Sequence, residues 1–147
     1  MTAQRRTVLV VEDSLAVRAT LIRLLGRSYD VCTEGDGEAA LRRFMLGQRF
    51  DVVLCDLQMP KMDGADLLEQ LRRLDADQSS RVIMLTANAK TPLAARLAGH
   101  YVVEKPFDLR KLRELVDRVS GAANASPFPP IAVVAAKSAA RAALPVS

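Results

Sequence analysis

Four apolar runs in this chain each lead into a residue able to do chemistry. Val8-Leu9-Val10-Val11 ends in Glu12-Asp13, Val52-Val53-Leu54-Cys55 in Asp56, Val82-Ile83-Met84-Leu85 in Thr86-Ala87, and Val102-Val103 leads to Glu104-Lys105-Pro106. A carboxylate delivered by a buried strand can serve as a nucleophile, and attack of Asp56 on phosphorus would give an acyl phosphate. Three carboxylates converging on one edge would repel unless a cation neutralised them, and a hard cation with oxygen ligands is the simplest solution. Mg²⁺ fits best. It would keep several waters, take one or two carboxylates from Glu12, Asp13 and Asp56, and leave room for phosphoryl oxygens. Lys105 and the Thr86 hydroxyl would supply the remaining charge and hydrogen bonds to an incoming phosphoryl group. Taken singly each feature has a plainer reading. Glu12 and Asp13 suit a helix N-terminus, Asp56 a turn, and Thr86 a hydroxyl bonded to backbone. The argument lies in their joint placement at four strand ends.

The elements that must position these residues are legible in the hydrophobic period, which alternates between short β-branched runs and helical stripes. Strands are predicted at 7–11, 29–34, 51–55 and 81–85 and around Val102-Val103. Ser14 is placed to cap a helix with an apolar face of Leu15, Ala19, Ile22 and Leu25, ending near Gly26. Asp36-Gly37 opens a second helix carrying Ala40, Leu41 and Phe44, and residues 65–74 a third that buries Leu67, Leu68 and Leu71. A last helix over 109–119 carries Leu112, Leu115, Val116 and Val119. Strands that read as continuous apolar runs need cover on both faces, which predicts an α/β fold: a doubly wound, five-stranded parallel sheet in a three-layer sandwich. In such sheets ligands collect beyond the C-terminal ends of the strands, and right-handed crossovers bring most of those ends to one edge. Asp63 is read as shaping the turn before Gly64, and Asp51 as marking a strand start.

At these residues the chain resembles the receiver, or phosphoacceptor, domain of two-component signal transduction, over roughly residues 6–119. Val10-Val11-Glu12-Asp13 is similar to the family's acidic pair. The segment from Asp56 to Gly64 matches its D-x-x-M-P-x-M-D-G signature around the phosphorylated Asp. Thr86-Ala87 resembles its switch hydroxyl and the small residue after it, and Glu104-Lys105-Pro106-Phe107 its K-P-F motif. The resemblance implies a flavodoxin-like strand order 2-1-3-4-5, a cis Lys105-Pro106 peptide, and a metal site made by Glu12, Asp13, Asp56 and the main-chain carbonyl of Gln58. It also implies transfer from a phosphohistidine on a histidine kinase or histidine phosphotransfer protein to Asp56. Mg²⁺ and Lys105 would stabilise the migrating charge, and later hydrolysis would reset the acyl phosphate. Drawing Thr86 toward the phosphoryl group would shift an equilibrium at the surface formed by the fourth helix, fifth strand and last helix. That surface would contact a downstream effector protein or a second copy in a homodimer.

Two positions depart from the family pattern. The aromatic expected three residues before the Lys is replaced by Val102, while Tyr101 lies one place out of register and is expected to face the opposite side of its strand. Either a small loop rearrangement lets Tyr101 serve, or the aromatic relay is absent, and the second account is favoured. The interval from Thr86 to Lys105 is also short, so that Thr91-Pro92 and Gly99 leave room only for a brief fourth helix. That interval and the Glu-Lys-Pro-Phe-Asp ending resemble receivers of hybrid histidine kinases. His100 is read as a solvent-edge residue rather than a base.

Length and composition fit one globular domain, since half of the 147 residues are apolar. The net charge is +4, and residues 121–147 hold Lys137 and Arg141 with no acid, so the domain itself is nearly neutral and no direct nucleic-acid contact is expected. Cys32 and Cys55 lie in strand-like runs without metal-ligand spacing and are read as buried free thiols in a cytoplasmic protein. No apolar stretch is long enough to suggest a leader or a membrane span. Residues 1–120 are taken as the receiver and 121–147 as an Ala/Pro-rich tail, disordered or forming a short docking helix, with no output domain. Two alternatives differ in class. A haloacid-dehalogenase-type phosphatase would need an acid two residues after its nucleophile, where Gln58 stands. A pseudo-receiver, binding partners without phosphorylation, would be expected to lose Asp56 or Lys105, and both are kept. The leading expectation is thus a signalling phosphoacceptor rather than an enzyme.

Overall fold

A computed structural model describes residues 5–90, 92–97, 99–121 and 133–134. The strands are β1 (Arg6–Val11), β2 (Tyr29–Glu34), β3 (Val52–Asp56), β4 (Val82–Thr86) and β5 (Tyr101–Glu104), paired side by side in the order 2-1-3-4-5, all parallel. A two-residue strand, β6 (Val133–Val134), pairs parallel to the outer edge of β5, so the sheet gains a sixth member beyond the five predicted. The rest of the tail, with the proposed docking helix, lies outside the described residues.

Alternation along each strand sorts the core into two layers. Val8, Val10, Val52, Leu54, Ile83, Leu85 and Val103 pack with Leu21 and Leu25 of α1 (Leu15–Leu25) and with Leu112, Leu115 and Val116 of α5 (Leu109–Ser120). Leu9, Val11, Val53, Cys55, Met84 and Val102 face α2 (Gly37–Met45) and α3 (Gly64–Leu74) through Ala40, Phe44, Leu67, Leu68 and Leu71. Each large aliphatic side chain taken fully from water contributes about 1.5–3 kcal/mol, so the apolar strands hold the sandwich and fix its register. The predicted stripe on α1 needs correction. Leu15 and Ile22 are exposed, and the buried stripe is rotated to Leu21 and Leu25 with Val17 and Leu24 alongside. Cys55 is buried and Cys32 only half-buried, both free.

The Ser14 cap and the helix opening at Asp36-Gly37 match the sequence reading, and Asp63 and Asp108 prove to be caps as well. Ser14, Asp36, Asp63 and Asp108 each accept a hydrogen bond from a backbone N–H in the first turn of the helix they precede. Asp63 therefore ends a turn by starting α3. Asp51 braces two strands, its carboxylate accepting the Thr7 N–H at 2.8 Å. A short helix, α4 (Ala76–Ser79), was not predicted; Asp75 caps it, and the buried Gln78 side chain bonds both the N–H and the carbonyl of Phe50. The expected brief fourth helix is a 3₁₀ helix, Pro92–Leu97, with Leu97 buried and Arg96 paired to Asp66 and Glu69 of α3.

One close approach positions the edge where the chemistry must occur. Gly64 donates its N–H to the Leu57 carbonyl at 2.8 Å, and a Cβ there would lie 2.6 Å from the Asp56 carbonyl oxygen and 2.9 Å from the Leu57 Cα. Only a glycine lets α3 begin directly against the end of β3. Although Gly→Ala favours most helices, Gly64→Ala is expected to lower the unfolding free energy by about 1–3 kcal/mol through overpacking. Urea unfolding of the variant checks this, and a gain in stability would contradict the steric account.

Candidate functional site

The register carries four strand ends to one level: Val11 pairs with Cys55, Asp56 with Leu85, and Thr86 with Glu104. Glu12 and Lys105, each one residue past its strand, therefore flank Asp56. Ligand oxygens of Glu12, Asp13 and Asp56 lie within 4.8 Å of one another, with Glu12 and Asp56 buried and Asp13 exposed. Lys105 Nζ lies 3.2 Å from Glu12 Oε1 and 3.5 Å from Asp56 Oδ2. The lysine is thus shared, and its shorter contact is to Glu12. The second Glu12 oxygen accepts the Ser14 N–H at 3.0 Å, while Arg18 Nε donates to the Glu12 carbonyl at 3.2 Å. The Lys105–Pro106 peptide is cis.

Burial acts first on Asp56, and the neighbouring Glu12 carboxylate adds to it; together they push the carboxyl up to about 6, against a smaller opposing pull from Lys105. Asp56 Oδ1 also accepts a long hydrogen bond, 3.4 Å, from the Gln58 N–H. An acidic cluster with one half-buried ammonium still lacks positive charge, and its exposed member, Asp13, opens it to solvent. These oxygen donors fit Mg²⁺, which prefers a few carboxylates and retained waters.

Thr86 is fully buried at the end of β4, but its hydroxyl is turned to backbone: it donates to the Asn88 carbonyl and accepts the Asn88 N–H, both at 3.1 Å. Val102 lies on the same face of the sheet as Met84 and Leu97, the face that Thr86 and Glu104 continue. Tyr101 packs in the opposite layer, with Leu112, Leu115 and Val116. The one-residue offset read from the sequence therefore places the aromatic ring away from Thr86. His100, at the far end of β5, is half-buried rather than at the solvent edge, and burial lowers its pKa, with Arg72 nearby acting the same way.

Sequence reasoning missed three parts of the site. The Ser14 amide on Glu12 and the Arg18 contact depend on how the β1–α1 loop folds back. Glu104 accepts the Ala89 N–H at 3.3 Å. Its position next to the motif lysine, one residue beyond the expected strand, was the signal that could have drawn attention to it.

A family model described as the response regulator receiver domain matches residues 8–117. Among curated relatives, a probable chemotaxis protein CheY of Rhizobium etli is 32% identical over 125 residues, covering 82% of this chain and 96% of that protein. The DNA-binding response regulator MtrA of Mycolicibacterium smegmatis is 39% identical over 124 residues, 81% of this chain but only 51% of its own length. Among solved structures, the receiver domain of a sensor histidine kinase from Pseudomonas aeruginosa, with a magnesium ion coordinated in its active-site cleft, superposes with a TM-score of 0.71 at 27% identity, covering 80% of this chain and 99% of that one. The response regulator TrrA from Thermotoga maritima, in complex with Mg²⁺ and BeF, gives 0.66 at 30% identity, covering 78% and 98%. With its parallel 2-1-3-4-5 sheet and an acidic cleft suited to Mg²⁺, the chain belongs to the response regulator receiver domain family.

Proposed function

We propose that this receiver takes a phosphoryl group from a phosphohistidine donor onto Asp56, and that phosphorylation changes its contacts with an effector protein. The observation that carries this reading is the buried Asp56 carboxylate set between the Glu12–Asp13 pair and Lys105. Attack by an Asp56 oxygen forms the P–O bond as the P–N bond to the donor imidazole breaks. The electron pair of that bond stays on nitrogen, which takes up a proton. Glu12, Asp13, Asp56 and the Gln58 carbonyl would hold Mg²⁺. When bound, the ion draws negative charge from the phosphoryl oxygens. Lys105 sits where it can move its charge from Asp56 toward a phosphoryl oxygen, and the Thr86 hydroxyl can turn from Asn88 to a second one. Gln58 cannot shuttle a proton as the general acid of a haloacid-dehalogenase-type phosphatase would, so the reading is a phosphoacceptor rather than an enzyme.

This chain spans nearly all of the chemotaxis relative and about half of the ycf27 and MtrA regulators it matches, and the output of the receiver is proposed to run through protein contacts. The effector, or a second copy, is assigned to the side of the sheet bearing the 3₁₀ helix, β5 and α5. No described helix is long and apolar enough to cross a membrane, and the proposed location is the cytoplasm.

Incubation with acetyl phosphate and Mg²⁺ is expected to give one phosphoryl adduct by intact mass, lost without the metal and lost in Asp56→Asn. An unlabelled wild type under conditions that label a control receiver would overturn the reading. Stability should depend on pH in a stated direction. Because folding raises the Asp56 carboxyl to about 6, its favourable contribution is complete below the unfolded value near 4 and disappears as pH rises through 6. In metal-free buffer at pH 7.5, Asp56→Asn should therefore be more stable than wild type by about 1–3 kcal/mol, the gap closing toward pH 4, as thermal melts across that range would show. Tyr101→Ala should lower stability by about 2–4 kcal/mol while leaving the labelling rate at Asp56 within about twofold, since the ring packs on the layer opposite Thr86. A collapse of labelling in a still-folded variant would assign the ring a part in the site.

A further inference from the structure

Glu104 stands where the motif lysine and the switch hydroxyl meet. It is the cross-strand partner of Thr86, on the same face of the sheet, and its carboxylate reaches over the loop that follows Thr86 to accept the Ala89 N–H at 3.3 Å. Within that loop Thr86 holds Asn88 by two hydrogen bonds, and the Asn88 side chain accepts the Lys90 N–H at 2.9 Å. Beyond it, Leu97 is buried and Arg96 is tied to Asp66 and Glu69, so the 3₁₀ helix is anchored independently on α3. The segment free to rearrange is therefore short, and Glu104 grips its middle.

We propose that Glu104 is a positioning residue that latches the β4 loop in the arrangement keeping the Thr86 hydroxyl on Asn88, and so opposes its turn toward a phosphoryl group on Asp56. This rests on the reading of Asp56 as the phosphoacceptor and adds how that site is restrained. For Thr86 to reach a phosphoryl oxygen it must give up both bonds to Asn88, and the backbone through residues 87–89 must move with it. A carboxylate bonded to Ala89 resists that movement; because the bond belongs to one arrangement only, its loss shifts the equilibrium toward the other. The aromatic relay that Val102 leaves empty is thereby replaced with a polar link between β5 and the same loop. Neither Tyr101 nor Val102 can supply that link: the ring lies in the opposite layer, and the valine has no polar atom beyond its backbone.

Two properties of Glu104, its charge and its acceptor oxygen, are separated by two variants in the full chain. Affinity for beryllium fluoride in saturating Mg²⁺, a non-covalent stand-in for the phosphoryl group, is measured for wild type, Glu104→Ala and Glu104→Gln. Hydrogen exchange at the Ala89 amide is followed in the ligand-free proteins. The latch predicts that Glu104→Ala binds the anion about 3- to 10-fold more tightly and loses Ala89 protection. Glu104→Gln, which keeps an acceptor oxygen, should stay within about twofold of wild type and retain protection. Equal tightening by both variants would mean that only the negative charge matters, and weaker binding by Glu104→Ala would mean a merely structural role; either overturns the latch. If wild type shows no binding dependent on Asp56, with Asp56→Asn as the control, the phosphoacceptor reading fails and the latch falls with it. Normal wild-type binding with no effect of either variant rejects the latch alone.

Discussion

Unbalanced negative charge at the end of β3 is the constraint on which the rest of this structure depends. Two unit charges 4.8 Å apart repel by roughly 3–4 kcal/mol at an effective dielectric near 20, and Glu12, Asp13 and Asp56 all fall within that distance. Lys105 touches two of them and cancels only one charge. The deficit that remains is the size a divalent cation removes, and the Glu12 carboxylate adds to the larger effect of burial in raising the Asp56 carboxyl. A core of lower quality would relax by letting the carboxylates turn outward. Here Glu12 and Asp56 follow buried apolar runs, Val8–Val11 and Val52–Cys55, and the Ser14 amide and Arg18 fix the Glu12 side chain and carbonyl.

Parallel pairing is what makes such a cluster possible. Every strand runs the same way, so every strand end with a chemical group arrives at the same edge, and a slip of one residue in any pair would turn its functional residue to the wrong face. Gly64 adds the complementary condition on the other side of Asp56. By letting α3 start against the Asp56 carbonyl, it keeps the Met-Pro turn tight over the edge, and Gly37, whose Cβ would meet the Met62 carbonyl at 2.7 Å, lets α2 close on the same turn.

Much of this was legible in the sequence, for identifiable reasons. The apolar runs before Glu12, Asp56 and Thr86 are long and β-branched, and a signal of that strength survives without tertiary information. The Ser14 cap and the helix opening at Asp36-Gly37 are local chemistry and were equally readable, whereas Asp63, read as a turn residue, caps α3. What failed were features decided by neighbours. On α1 both Leu15-Ile22 and Leu21-Leu25 are consistent with a helical stripe, and only the packing of α5 alongside decides which is buried. The short helix at Ala76–Ser79 has no apolar period of its own and exists because Gln78 completes the hydrogen bonds of Phe50. The strand at Val133–Val134 depends on an open edge at β5 that no residue of the tail announces.

The direction of switching follows from the same charge argument. A phosphoryl group brings nearly two more negative charges to an edge that is already short of positive charge, so whatever can move to answer it will. The central strands β3 and β4 and the C-terminal part of β1 cannot, because their side chains are buried on both faces and a shift in one would open voids in two layers. Lys105 can extend only a little, since Glu12 also holds it. The Thr86 hydroxyl and the backbone after it are different: they are held by a few hydrogen bonds among partly exposed groups, each of modest net strength. The least stable contacts at this edge are therefore also the ones on the face shared by Thr86, Val102 and Glu104. On the proposed reading, a signal arriving at Asp56 would leave through that face, with Tyr101 kept behind the sheet.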